Sequence, residues 1–211
     1  MLKKNLLLLL VVISSLSACR KDDDKVDEPG ELPLELVLNE TYSDNSNNWF
    51  IINDNDAKID INNGYYNIEL KQDSFFYYTY LNTTFNTRNS FVIETEMVTV
   101  LTQSNSGFGL LWGVSGTKER DFFLLDAAGN IYIGHRRNFV DKFGLQAYTS
   151  GYVDLTKPTR LKVERYKGDV YYYVNDKLVF HEPFQHFSNQ NVGYYVENKT
   201  AIGVDWLRVY D

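Results

Sequence analysis

The stretch FVIETEMVT, residues 91 to 99, holds Glu94 and Glu96 two positions apart. In an extended chain every second side chain points to the same face, so the two carboxyls sit side by side. A retaining glycosidase uses two carboxyls about 5 Å apart, one as nucleophile and one as acid. An ordinary solvated strand face has the same spacing, and acids at i and i+2 are more often that. A histidine available to such a pair, His135, lies in Gly134-His135-Arg136-Arg137, and His181 and His186 flank Glu182. No H-E-x-x-H, G-x-S-x-G or phosphate-binding glycine loop occurs in the chain.

A second kind of chemistry is recognition of a sugar by stacking and hydrogen bonding. Sugars present flat apolar faces to Trp and Tyr rings and hydroxyls to planar polar groups. Trp112, Tyr132, Arg136 and Tyr148 are the candidates, with Arg137 beside them and Tyr148 placed in the loop beyond the strand. Alternation puts Ile131, Ile133 and His135 on one face and Tyr132 and Arg136 on the other. With the isoleucines inward, Tyr132 and Arg136 are exposed together. Trp112 shares a face with Phe108 and Leu110, which equally suits a core position.

Oxygen-rich segments raise a third chemistry, a structural calcium ion. Glu40 and Asp44 lie in ETYSDN, and Asp205 joins them if the first and last strands are neighbours. The same Asn and Asp residues also serve turns through their own backbone hydrogen bonds. No other cofactor is expected.

The elements that position these residues are strands. Tyr (16) and Phe (13) are abundant, and aromatic and β-branched residues favour pleated structure. Short alternating runs are separated by Asn, Asp and Gly, and no run holds a helical period. Strands are expected at Leu34 to Glu40, Ala57 to Ile61, Tyr65 to Leu70, Phe75 to Leu81 and Phe91 to Val100. Others are expected at Phe108 to Gly113, Asp121 to Leu125, Ile131 to Ile133, Asn191 to Glu197 and Ile202 to Tyr210. Thr159 to Phe180 divides into three, turning at Lys167-Gly168-Asp169 and Asn175-Asp176. Asn62-Asn63-Gly64 is a tight hairpin turn, since Asn and Gly tolerate positive φ. About a dozen short strands spaced by turns predict an all-β fold, a sandwich of two antiparallel sheets.

The N-terminus carries an address. Lys3 and Lys4 precede an apolar run, Leu6 to Ile13, and small residues up to Ala18. This pattern is a secretory signal, too short to span the roughly 30 Å core of a bilayer. Leu16-Ser17-Ala18-Cys19 resembles the bacterial lipobox. That resemblance implies a signal peptide over residues 1–18, cleavage before Cys19 and lipidation of Cys19, the chain's one cysteine. Arg20 to Lys25, RKDDDK, resembles the export signal of surface-exposed lipoproteins in Bacteroidetes-type bacteria. The expected location is the outer membrane, lipid-anchored at Cys19 and facing outward. Residues 19–32 form an acidic tether and residues 33–211 one domain. Without residues 1–18 the chain has 19 basic and 28 acidic residues, which argues against nucleic acid as a partner.

The order of ETYSD, Trp49, NNGYYNIEL, SGFGLLWG, a Gly-Asn turn into IYIG, RLKVERYKGDVYYYVNDKLVF, NVGYYVEN and IGVDWLRVYD resembles the concanavalin A-like lectin/glucanase jelly roll. It is similar above all to its laminin G-like and 3-keto-disaccharide-hydrolase-type domains, over residues 34–211. The resemblance implies a curved sheet whose concave face often binds sugars, and a closing strand, VDWLRVY, beside the first. In laminarinase-type members one strand supplies the carboxylates as E-x-D-x-E or E-x-D-x-x-E. Here Val98 and Thr99 stand where a third acid belongs. The reading that follows is a surface lipoprotein with a non-catalytic domain that binds a glycan or cell-surface polysaccharide, or adheres. The alternative is a glycan-processing hydrolase of the 3-keto-disaccharide type, using Glu94, Glu96 or His135. A structural spacer is the third option.

Overall fold

A computed structural model describes residues 29–30, 32–103, 106–149, 151–187 and 189–211. The expected signal peptide and Cys19 lie outside the described residues, as does most of the tether. Every regular element among the described residues is a strand. In chain order they are β1 (Leu36–Glu40), β2 (Ile52–Asn53), β3 (Ala57–Asn62), β4 (Tyr65–Leu70), β5 (Phe76–Leu81), β6 (Phe91–Leu101), β7 (Phe108–Ser115) and β8 (Glu119–Leu125). Then come β9 (Asn130–Arg137), β10 (Val140–Thr149), β11 (Thr159–Tyr166), β12 (Asp169–Val174), β13 (Lys177–Pro183), β14 (Val192–Glu197) and β15 (Ala201–Tyr210).

Two antiparallel sheets form. The larger has the order β13-β12-β11-β6-β15-β4-β3-β2, with β1 also paired to β15. The smaller has the order β10-β9-β8-β7-β14-β5. The first and last strands are neighbours, Glu40 opposite Leu207 and Leu36 opposite Tyr210. The fold is thus an all-β, two-sheet jelly roll of the concanavalin A-like kind. No helix among the described residues is long and apolar enough to cross a membrane.

The hairpins form where the residues allow left-handed backbone. Asn63 and Gly64 have φ of 53° and 75°, and Asn175 and Asp176 have 48° and 63°. Positive φ at both central residues gives the twist that two-residue hairpins need. The turn between β9 and β10 uses Asn138 and Phe139, at 51° and 67°. Phe is a poor signal for that conformation, which is why the sequence conceals β10. Tyr148 therefore lies on an edge strand, not in a loop, a correction to the sequence reading.

Alternation sets the core. On β6, Phe91, Ile93, Thr95 and Met97 are buried, while Val92, Glu94, Glu96 and Val98 are half-buried on the other face. The inward rows of both sheets make one apolar cluster that includes Trp112, Phe123, Ile133 and Tyr172. Trp112 is 2% exposed, so its expected role as a ligand-stacking surface gives way to packing between the sheets.

Polar groups inside this core are paired. The Tyr194 hydroxyl lies 3.0 Å from both the Tyr42 hydroxyl and Thr95 Oγ1, and Thr95 Oγ1 donates to the Trp206 carbonyl. Tyr194 belongs to the smaller sheet and Thr95 to the larger, so this chain of hydroxyls crosses the sandwich. The buried Glu40 carboxylate accepts from Trp49 Nε1 (2.9 Å), Asn47 Nδ2 (2.6 Å) and the Tyr42 backbone N–H (2.8 Å). It pins the β1–β2 loop over the end of the core. Glu40→Ala leaves those donors unpaired and is expected to cost about 3 kcal/mol, against about 1 kcal/mol for Tyr194→Phe. Chemical denaturation of both variants checks the order.

Candidate functional site

Strand β7, FGLLWGVS, is buried at every position but its last. Phe108, Leu110 and Trp112 face the larger sheet. Leu111, and Val114 beyond a register shift, face outward and are fully buried too. With Phe122 and Tyr195 they form a second apolar cluster, flanked by Tyr78, Tyr80 and Leu124. The smaller sheet thus has a packed apolar outer face, where a sandwich of this kind ordinarily has polar side chains.

The face is aromatic along one edge and charged along the other. The rings of Tyr78 and Tyr80 stack at 6.4 Å and 10° on β5, and Phe76 stacks on Tyr195 at 5.9 Å. Phe122 meets Phe143 of β10 edge to face at 5.4 Å. No Cβ fits at Gly134, because the Phe122 ring and the Lys142 carbonyl occupy its place. Between these rings lies a recess of about 90 Å³ lined by Arg120, Phe122, Asp141, Phe143, Tyr195 and Glu197, with Leu111 and Leu124 at its floor.

Its charges are ordered. Arg136 grips Asp141 through Nε (2.7 Å) and Nη2 (2.5 Å). That pairing raises the guanidinium and holds the Asp141 carboxyl below its ordinary range. Glu197 accepts from the Tyr195 hydroxyl (2.5 Å) and the Gly107 backbone N–H (2.9 Å). Arg120 is 5% exposed. Its Cζ lies 5.6 Å from the Tyr78 ring centre and 5.5 Å from that of Tyr195. Burial, then the neighbouring Arg136, lowers its pKa.

The structure brings some expected site residues to this face and scatters the others. Tyr132 and Arg136 point outward from β9, as alternation requires. The Tyr132 hydroxyl donates to Asp126 (3.0 Å), which also holds the β8–β9 turn. Tyr148 is exposed on β10. Glu94 and Glu96 stand on the outer face of the larger sheet, where Glu94 accepts from the Tyr210 hydroxyl (3.1 Å). His135 points inward from the smaller sheet and is 8% exposed. The three therefore form no common site. The calcium grouping does not assemble either. Glu40 is taken by Trp49, Asn47 and Tyr42, Asp44 turns back onto Ser46 N–H (2.8 Å), and Asp205 sits at a bulge in β15. Among the described residues no group of three or more His, Cys, Asp or Glu is placed to hold a metal ion.

His135 belongs instead to a small polar cavity at one end of the core. Trp112, Asp121, His135, Tyr172 and Glu182 line about 10 Å³, too little for a sugar ring. Arg137 Nη2 contacts both Asp121 oxygens at 3.0 and 2.9 Å, and the Tyr172 hydroxyl donates to Glu182 (2.9 Å). Burial pushes Asp121 up to about 7 against the pull of Arg137, raises Glu182, and lowers His135. The folded protein then keeps a proton on Asp121 that the unfolded chain releases near its ordinary carboxyl pKa. Stability from this group is fully present below about pH 4 and is lost as the pH rises to about 7. Asp121→Asn is expected to flatten that decline. Thermal unfolding of both proteins across this range measures it.

No family model matches the chain, and no curated protein does. Solved structures do match in fold. A Bacillus subtilis protein of unknown function with a galectin-like fold superposes with a TM-score of 0.62 at 11% identity, covering 83% of this chain and 97% of that one. The Bacillus licheniformis β-glucanase gives 0.60 at 10% identity, covering 82% and 96%. A structure from work on the endo-acting O-glycanases with which prominent members of the human gut microbiota initiate mucin breakdown gives 0.60 at 12%, covering 83% and 98%. At these identities the likeness is one of fold, a jelly roll shared by glycan-cleaving enzymes and a galectin-like protein.

Proposed function

We propose that the chain is a carbohydrate-interacting domain whose ligand lies on the outer face of the smaller sheet. One observation carries this reading. That face holds aromatic rings packed around a recess lined by buried Arg120 and by the carboxylates Asp141 and Glu197, with Arg136 bound to Asp141. Rings offer stacking to the apolar faces of a sugar, and planar charged groups offer paired hydrogen bonds to its hydroxyls. Recognition without cleavage is the first reading, because Glu94 and Glu96 stand on the other sheet and the recess's own carboxylates are engaged, Asp141 by Arg136 and Glu197 by Tyr195 and the Gly107 N–H.

Hydrolysis is the second reading, and the comparisons favour it, since a β-glucanase and a structure from O-glycanase work share the fold. Within the recess its carboxylates are Asp141 and Glu197. Asp141, held ionised by Arg136, suits a nucleophile or base. A glycan array, followed by product analysis on any glycan bound, separates the two readings. Phe143→Ala is expected to weaken binding about tenfold, while Glu96→Gln, on the opposite sheet, leaves it unchanged. Release of sugar that Glu197→Gln abolishes establishes hydrolysis. Binding that both sheets' variants leave intact sinks this assignment of the face.

The same proposal places the domain outside the cell. The lipobox-like LSAC and the acidic run after Cys19 support a lipid anchor and export to the outer-membrane surface. Acyl-chain labelling that persists in Cys19→Ser would remove that support.

A further inference from the structure

We infer that the recess selects an acidic sugar, one whose ring carries a carboxylate or a sulfate ester, and that Arg120 is the residue that reads the acid group. This rests on the proposal that the face binds carbohydrate and adds the class of sugar.

Arg120 is out of balance in the free protein. The side chain is 5% exposed and lines the recess, and its Nη1 is buried without a hydrogen-bond partner. A buried charge is ordinarily paired, because the interior repays so little of its lost hydration. Among the described residues no carboxylate comes within ion-pair distance of Arg120. Asp141 has both oxygens on Arg136, and Glu197 is engaged by Tyr195 and Gly107. The compensation present comes from the π faces of Tyr78 and Tyr195 and, at longer range, from the Asp141 carboxylate already gripped by Arg136. They leave Nη1 without an acceptor.

The missing partner is defined by that geometry. It enters through the recess, accepts hydrogen bonds and carries negative charge. A sugar hydroxyl accepts one bond and leaves the buried charge uncompensated. A carboxylate or sulfate supplies two or three oxygens to the planar guanidinium and neutralises it. Phe143 and Tyr195 at the walls then meet the sugar ring itself. The chain as a whole is acidic, with a formal net charge of −7, so the attraction is local to this pair of arginines rather than a property of the surface.

The test is an array of oligosaccharides bearing uronate, sialate or sulfate groups, each beside its methyl-esterified or desulfated neutral counterpart, with calorimetry on those bound. Acidic members are expected to bind at least about tenfold tighter than their neutral counterparts, and the preference to shrink in high salt. Arg120→Met is expected to abolish the preference, bringing acidic and neutral members to the same affinity. Its unfolding midpoint without ligand is expected to hold or rise, because an unpaired buried charge is gone. The uronate and sulfate arms tell which acid group the site takes. Equal binding of acidic and neutral members, or a preference that survives in Arg120→Met, overturns the inference and leaves the carbohydrate reading standing. Absence of binding to every member, acidic and neutral, overturns both.

Discussion

Strands β7 and β14 are buried on both faces, yet only one face of their sheet packs against the larger sheet. The rest of the site follows from that constraint. The inner rows are covered by the opposing sheet. The outer rows must be covered by their own neighbours, so Leu111, Phe122 and Tyr195 pack on one another under Tyr78, Tyr80 and Phe143. Such packing is favourable by roughly 25 cal/mol per Å² of apolar surface removed from water. It also fixes the rings, so the recess between them is formed before any ligand arrives.

Charge is handled differently in the two polar clusters of the smaller sheet. At the end of the core, Asp121 and Arg137 pair in a closed space, and the cost of burial appears as a raised carboxyl. On the outer face, Arg136 and Asp141 pair at the rim, while Arg120 is buried beside them without an acid of its own. Neighbouring strands supply both clusters. Residues 121, 135 and 137 point inward and residues 120, 136 and 141 outward, so the pleat alone sorts them into two separate sites.

The inter-sheet hydroxyls complete the scaffold. Thr95, Tyr194 and Tyr42 span the sandwich with each hydroxyl paired. Buried polar groups that satisfy one another specify one arrangement of the layers. The smaller sheet is thereby held in a single position beneath its outer face.

Much of the fold was legible in the chain. Alternation on β6 and β9, and Asn-Gly and Asn-Asp turns at residues 63–64 and 175–176, act through near neighbours. They determined strands, hairpins and the outward pairing of Tyr132 with Arg136, and the resemblance in segment order anticipated β1 beside β15. β10 stayed hidden because its entry turn, Asn138-Phe139, puts a phenylalanine at positive φ, where no sequence signal expects one. The recess was not legible, since Arg120, Asp141 and Glu197 come from three strands of different hairpins. That β7 and β8 read apolar on both faces, in GLLW and DFFLL, was a local sign of a second buried surface. Trp112 shows the limit of reading by residue type, because only the opposing sheet decides which row is core. What the sequence by itself determined was the twofold period and its turns, which need no distant partner. Which face closes over which residue, and which buried charge lacks an acid, arose only from strand order, because both are properties of neighbours far apart along the chain.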